Sequence, residues 1–276
     1  MARTRRRRSR GDNELGIAAV GGIALFLLAA AALGAFGWFY FTAPVKPVLN
    51  AETNCPTPGP YGISEVLVDT SDDLPNAGKL EVQKILDDLI SSVPQYHLLE
   101  IRVLDVPNNS SSVLFSRCNP GDGTGLNKWT DNERLARSRW LETFRKPAEE
   151  AIRKSITSAK ATSSPIMGAI QNIAIGQFSS ERARSIPKKL NIISDMIEHT
   201  REYSQYPRGG DLSYQRFKQS PAYLKYRTNL YGAKVTINYV TRPSVMPDTN
   251  RHAEFWLAWI KDNSGTLELM HRLQGT

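Results

Sequence analysis

Two cysteines in 276 residues are too few for a disulfide-stapled scaffold or a four-thiolate zinc site. The short patterns that announce nucleotide or covalent chemistry are missing too: GxxxxGK[ST], GxGxxG after a strand, HExxH, GxSxG and CxxC. His97, His199, His252 and His271 are scattered, and none is spaced to share a metal with another. No nucleophile and base can be paired from these residues, so the chain is expected not to be an enzyme. Basic charge is plentiful in sum, at +8, but thin over most of the chain. Six arginines within residues 1–14, offset by Asp12 and Glu14, hold half of the excess. The body is only mildly basic, and no nucleic-acid partner is indicated. A hydrophobic share of 41% with 22% charged residues excludes a wholly disordered, collagen-like or coiled-coil chain.

Charge is missing altogether from Leu15 to Phe41, a run of 27 residues. At ~1.5 Å per residue a helix of that length spans about 40 Å, more than the ~30 Å of a hydrocarbon core. Trp38, Phe39, Tyr40 and Phe41 close the run with rings that favour the headgroup region, and Arg3, Arg5, Arg6, Arg7, Arg8 and Arg10 precede it. A cleaved secretory signal also begins basic and then apolar. This run, however, exceeds the ~7–15 residues of a signal's apolar segment, and Phe-Thr-Ala-Pro is a poor cleavage site. The expectation is a single-pass protein of the inner (cell) membrane: a cytoplasmic tail at 1–14, a transmembrane helix at 15–41, and a periplasmic or otherwise extracytoplasmic remainder.

Pro44, Pro47, Pro56, Pro58 and Pro60 make 42–60 read as a semi-stiff linker. The 216 residues of 61–276 suit one domain. Tyr61–Asp69, Lys189–Asp195 and Ala233–Val240 have the apolar density of buried strands. His97–Val106 and Ser112–Cys118 are joined by so short a turn that they must pair antiparallel. Lys79–Val93 and Asn250–Lys261 carry helical periodicity. Asp131–Ile156 does as well, with Pro147 expected to break or kink it. A further helix begins near Pro165, with Ser163 or Ser164 as its cap. Thr266–Leu273 is the last apolar segment. Strands alternating with helices predict an α/β, Rossmann-like three-layer sandwich whose mostly parallel sheet has one antiparallel edge strand.

Such sheets bind ligands beyond the carboxyl ends of their strands. Two strands end there in carboxylates, Asp69-Thr70-Ser71-Asp72-Asp73 and Ser194-Asp195. Hard oxygen donors of this kind suit Mg²⁺ or Ca²⁺. An Asp-x-Ser turn, a helix, a hairpin, a Ser/Thr loop and a strand ending in Asp together resemble the von Willebrand factor A domain over about 61–262. The resemblance implies a metal-ion-dependent adhesion site, whose cation is shared with an acidic group of a partner protein. It assigns Asp69 and Ser71 to the first loop and Asp195 to the last. For the Thr position it offers Thr162, Ser163 or Ser164, with Ser164 and Thr162 preferred. Asp73 stands where the family has Ser. The extra charge of Asp72 and Asp73 either strengthens cation binding or leaves no room for an acidic partner, so the site reads as degenerate.

Cys55 and Cys118 flank the first strand and the hairpin, and export would let them form a disulfide. Residues 201–231 interleave tyrosines with basic residues, and Tyr203, Tyr206, Arg208 and Tyr214 stand out as partner contacts of the type common at interfaces. The function expected is cation-assisted protein–protein interaction in a bacterial membrane assembly, with co-encoded membrane or periplasmic partners. Two alternatives are a Mg²⁺-dependent phosphoesterase using Asp69, Asp72, Asp73 and Asp195, and a structural module without metal. Ser71 stands where a haloacid-dehalogenase-type phosphatase would need a second Asp.

Overall fold

The computed structural model describes residues 12–42, 46–71, 76–126, 131–156, 161–206, 212–241 and 247–273, with side chains from residue 19 onward. Contacts divide the chain into two units, Met1–Pro47 and Val48–Thr276. The first holds one uninterrupted helix, α1 (Asp12–Thr42). Its segment Ala19–Thr42 has a mean hydropathy of 2.3 and is long and apolar enough to cross a membrane. It is apolar on every side, as a helix surrounded by lipid must be.

The second unit begins with a strap, 48–60, fastened by the Cys55–Cys118 disulfide and by the Asn54 amide, which donates to Thr143 Oγ1 at 2.9 Å. After the strap comes β1 (Ile63–Val68), buried along its whole length. In α2 (Asn76–Ser92) the buried residues Gly78, Val82, Leu86 and Ile90 recur every four positions, which is one helical stripe. The hairpin β2 (Leu98–Asp105) and β3 (Ser110–Cys118) is antiparallel, as its short turn requires.

Three helical stretches in line follow: α3 (Glu133–Trp140), a π-helical turn (Leu141–Arg145) and α4 (Lys146–Ser155). Next come α5 (Ile166–Ile173), a second π turn (Ala174–Phe178), α6 (Glu181–Ser185) and β4 (Lys188–Ser194). The remainder is α7 (Tyr214–Lys218), α8 (Pro221–Tyr226), β5 (Lys234–Tyr239), α9 (Thr249–Asp262) and β6 (Thr266–Arg272).

The six strands lie in the order β3-β2-β1-β4-β5-β6, every neighbouring pair parallel except β2–β3. Helices cover both faces, giving the three-layer α/β sandwich. On one face Leu67, Leu190, Ile192, Val235 and Ile237 pack with Ile170, Phe178, Trp256 and Trp259. On the other Val66, Val68, Ile101 and Phe115 meet Leu86, Ile90, Phe144 and Ile152. The chain winds outward in both directions from β1 and β4, so a crevice opens at their carboxyl ends.

Pro147 neither breaks nor visibly ends the helical run. It sits in the first turn of α4, just after the π turn. A proline there leaves the carbonyl four residues back without its N–H. That carbonyl, on Thr143, accepts instead from Arg117 Nη1 at 3.3 Å. The wider π turn gives the ring room, and helical hydrogen bonding resumes directly in α4.

Ser163 and Ser164 do not cap α5. Pro165 holds the cap position with no side-chain bond, because the Ser164 hydroxyl is engaged elsewhere. Gly168 seats α5 on the hairpin, since a Cβ there would stand 2.3 Å from the Asn109 carbonyl oxygen.

The bridge closes a sequence separation of 63 residues, and its entropic restraint on the unfolded chain is worth ~2–4 kcal/mol. Peptide mapping without reductant is expected to recover Cys55 linked to Cys118. Cys55→Ser should lower the melting temperature of the second unit, and added reductant should then have no further effect on that variant.

Candidate functional site

The crevice at the β1–β4 switch is organised around one carboxylate. Asp69 follows β1 directly, its own N–H bonded to the Ile193 carbonyl of β4 at 2.9 Å. Asp69 Oδ1 accepts from the Ser71 backbone N–H at 2.9 Å and from the Ser71 hydroxyl at 2.6 Å. Asp69 Oδ2 accepts from the Ser164 hydroxyl at 3.2 Å and from the Ser194 hydroxyl at 2.7 Å. The three serines come from three loops and are buried, at 4%, 7% and 2% exposure, while Asp69 keeps partial access to solvent.

Each loop is held by backbone bonds of its own. The Ala161 N–H donates to the Ser71 carbonyl at 2.9 Å, joining the second loop to the first. Ser164 and His199 exchange backbone bonds at 2.8 and 3.0 Å, joining the second loop to the third. The Val240 N–H donates to the Ser194 carbonyl at 2.9 Å, fixing the third loop to the end of β5.

Of the residues singled out from sequence, Asp69, Ser71 and Ser164 meet directly. Thr162 is exposed, and the hydroxyl that this loop delivers to Asp69 is that of Ser164. Asp73 and Arg208 lie outside the described residues, as does Asp72.

Asp195 is buried beside the cluster but starts no helix. Its Oδ1 accepts from the Ile197 N–H at 2.9 Å in a tight turn, and its negative charge pushes the Tyr239 phenol upward, after burial the second cause. Ser194 is the member that sequence reading missed. Successive residues of a strand point to opposite faces, so either Ser194 or Asp195 turns toward Asp69, and here it is the serine.

Beneath these loops lies a polar layer. Glu198 is fully buried, and its Oε2 accepts from the Met167 N–H at 2.8 Å in the first turn of α5. Burial pushes its carboxyl up to about 8, with smaller contributions from the charges of Asp69 and Glu202, against the opposing N–H groups of Met167 and Ile166. His252 of α9 is pushed down to about 4 by burial and is neutral. Its Nδ1 lies 2.7 Å from the Tyr239 hydroxyl and its Nε2 3.1 Å from Gln205 Oε1. The Trp256 indole N–H donates to the Met196 carbonyl at 2.8 Å.

Met196 follows Asp195 in the left-handed region, at φ 58°, and is fully buried. Its N–H donates to the Ser194 hydroxyl oxygen at 2.8 Å. One serine side chain thus holds both the carboxylate and the turn.

Tyr203 and Tyr214 pack around Phe217 and Phe255, with ring centroids 4.8–5.9 Å apart. Tyr214 and Tyr223 both donate to Asp262 Oδ2, at 2.9 and 2.8 Å. Tyr206 lies nearer the crevice, edge-on to His199 at 4.9 Å.

As a donor set, one carboxylate and three hydroxyls match a hard divalent cation. The residues present therefore fit Mg²⁺ or Ca²⁺ by chemistry. No cluster of three or more His, Cys, Asp or Glu residues exists among the described residues.

No protein-family model matches the sequence, and no curated protein is similar to it. Among solved structures, the chain is similar to a von Willebrand factor type A protein from Catenulispora acidiphila. That match has a TM-score of 0.40 and 11% identity over 78% of this chain, and it spans 39% of the Catenulispora chain. It is similar to the SpRpn10 VWA domain, at TM-score 0.39 and 12% identity, over 78% of this chain and 89% of that one. It is also similar to an aerotolerance-related membrane protein from Bacteroides fragilis NCTC 9343, at TM-score 0.36 and 11% identity, over 77% and 91% of the two chains.

Met196 gives the site loop a measurable signature. Truncating a buried methionine costs ~2–5 kcal/mol, whereas a left-handed backbone costs a residue with a Cβ roughly 1–2 kcal/mol more than it costs glycine. Chemical denaturation should therefore find Met196→Gly more stable than Met196→Ala by about 1 kcal/mol, the reverse of the usual order.

Proposed function

We propose that this chain is a membrane-anchored, von Willebrand factor A-like interaction module whose carboxyl-edge loops capture an acidic group of a protein partner through a divalent cation. The observation that carries the reading is the convergence of Ser71, Ser164 and Ser194, from three separate loops, on the carboxylate of Asp69. A hydroxyl that donates its proton to Asp69 keeps its oxygen lone pairs, one of them on Ser194 taken by the Met196 N–H, so each serine retains an acceptor site for a cation. Asp69, Ser71, Ser164 and Ser194 would hold Mg²⁺ or Ca²⁺, with Asp195 behind them and Asp73 as a further candidate. The bound cation would supply the positive charge that an acidic partner group needs. Tyr206, beside His199 at the rim, is the aromatic best placed to touch that partner.

The organisation proposed is a cytoplasmic tail at 1–14, a transmembrane helix within 15–41, a tether through 42–60 and an extracytoplasmic domain at 61–276. Arginines before the apolar helix support that orientation, and so does a disulfide after it. Partners are expected among co-encoded membrane or periplasmic proteins.

One observation favours a second reading, a structural module without metal. Four donors already satisfy both oxygens of Asp69. A carboxylate so supplied is stable without a cation.

Titration calorimetry of the full-length chain in detergent separates the two. The cation reading expects saturable heat with Mg²⁺ or Ca²⁺, lost in Asp69→Ala and weakened about tenfold in Ser194→Ala, the equivalent of ~1.4 kcal/mol. It also expects that chelation releases a co-purified partner. Absence of heat, with partner capture unaffected by Asp69→Ala, would establish the metal-free reading.

A further inference from the structure

Halfway down the sheet, away from the crevice, the interior holds charge. Glu65 of β1 and Glu100 of β2 are partners in the parallel register, both on the α5 side. They are 0% and 2% exposed. Both meet the guanidinium of Arg102, whose Nε lies 2.6 Å from Glu100 Oε1 and 3.3 Å from Glu65 Oε2. Arg102 Nη1 donates onward to the Ser111 hydroxyl of β3 at 3.2 Å and to Asn172 Oδ1 of α5 at 3.1 Å. From the second π turn the Gln177 amide donates to both oxygens of Glu100, at 3.2 and 3.3 Å.

Asn172 and Gln177 are five residues apart. At 3.6 residues per turn that spacing would aim them well apart, while a π turn brings them to one side. The π turn is thus accounted for by the two amides that reach this cluster.

The donors are unevenly shared. Glu100 accepts from Arg102 and from Gln177, whereas Glu65 has only the longer approach of Arg102 Nε to its Oε2, outside good hydrogen-bond geometry, and no donor at its Oε1. The count of charges is equally unbalanced, with two carboxylates against one guanidinium. Among the described residues, no other element corrects it. At this register β4 contributes Leu190. Lys188, two residues earlier, gives its ammonium to the carbonyls of Ala183 and Ile186 at 2.7 and 2.9 Å. β3, α5 and the π turn present only Ser111, Asn172 and Gln177.

A carboxylate at zero exposure that shares one guanidinium with a second, better-bonded carboxylate is among the most expensive groups a core can hold, whereas the neutral acid carries a donor of its own. We propose that Glu65 is a proton-binding site: the folded domain keeps a proton there at neutral pH, and that proton latches α5 and its π turn to the sheet. The O–H of Glu65 is a donor for the Glu100 carboxylate while its carbonyl oxygen faces Arg102, leaving one net carboxylate for one guanidinium. Loss of the proton would put two like charges side by side under the amides that seat α5. Burial, then the charge of Glu100, raise the Glu65 carboxyl well above its ordinary value, against the lowering effect of Arg102.

A raised carboxyl contributes stability that is complete below the unfolded value and is lost as pH climbs toward the folded one. In that window, opening of the latch releases a proton and becomes about tenfold easier per pH unit. Glu198 is also raised and is linked in the same sense, so the contrast must be made at Glu65 itself.

The test is amide hydrogen exchange of 166–178 in the full-length chain in detergent, from pH 5 to 9, corrected for intrinsic rates. Glu65→Gln, which mimics the neutral acid, should lower the slope of the logarithm of the opening constant against pH by up to one and protect α5 at high pH. Equal slopes in the two proteins would overturn the proposal. Carbon-13 NMR of glutamate-labelled wild type covers the case in which the variant does not fold. Two buried glutamates resonating as neutral acids at pH 6 are expected, and a single one, from Glu198, would overturn it.

Discussion

One carboxylate gathers side chains from three chain crossovers that backbone bonds also link. Asp69 ends β1, Ser164 precedes α5 and Ser194 ends β4, and 125 residues separate the first from the last. A parallel sheet aligns strand ends but leaves the loops beyond them free. Here the oxygens of Asp69 fasten those loops to one another, and the paired backbone bonds between Ser164 and His199 prevent the middle loop from sliding. The three hydroxyls point at a common centre because each donates to this carboxylate.

Below this edge the fold spends much of its interior on polar groups. The sequence of β1 reads as an apolar strand, yet Glu65 sits in its middle with no exposure. Toward the crevice, Glu198 receives the first turn of α5; toward the sheet centre, Arg102 and Glu100 receive its far end through Asn172 and Gln177. The helix that follows Ser164 is therefore held at both ends by buried polar contacts, with an apolar stripe between. Geometric demands of this kind are stricter than those of an all-apolar contact, because a half-satisfied polar network costs more than none. They explain why a π turn and a close glycine contact at Gly168 are tolerated in one short segment.

The outer parts of the molecule follow simpler rules. Over Ala19–Thr42, α1 is uniformly apolar with no preferred face. The strap at 48–60 is pinned to the rest of its unit by the disulfide, by the Asn54 amide, by the Cys118 N–H to the Thr53 carbonyl and by Arg182 to the carbonyls of Gly59 and Pro60. In the tyrosine-rich stretch, aromatic area satisfies its own environment. Tyr203 and Tyr214 join Phe217 and Phe255, and Asp262 accepts hydrogen bonds from the phenols of Tyr214 and Tyr223.

Local pattern was enough for the architecture. The periodicities of Lys79–Val93 and Asn250–Lys261, the apolar runs at Tyr61, Lys189 and Ala233, and the short turn before Ser112 specified helices, strands and the one antiparallel edge, because each depends on neighbours a few residues away. The Asp-x-Ser turn after β1 was legible for the same reason. Tertiary structure alone decided which hydroxyl reaches Asp69. Ser194 and Asp195 are equally plausible as letters, and only the facing of β4 in the sheet selects between them. The same holds for Ser164 over Thr162, for the Arg117 side chain that takes up the carbonyl freed by Pro147, and for the pairing of Glu65 with Glu100. Each of these joins residues tens of positions apart in the chain, and a contact across that distance is set by how whole strands and helices pack, which no local sequence pattern encodes.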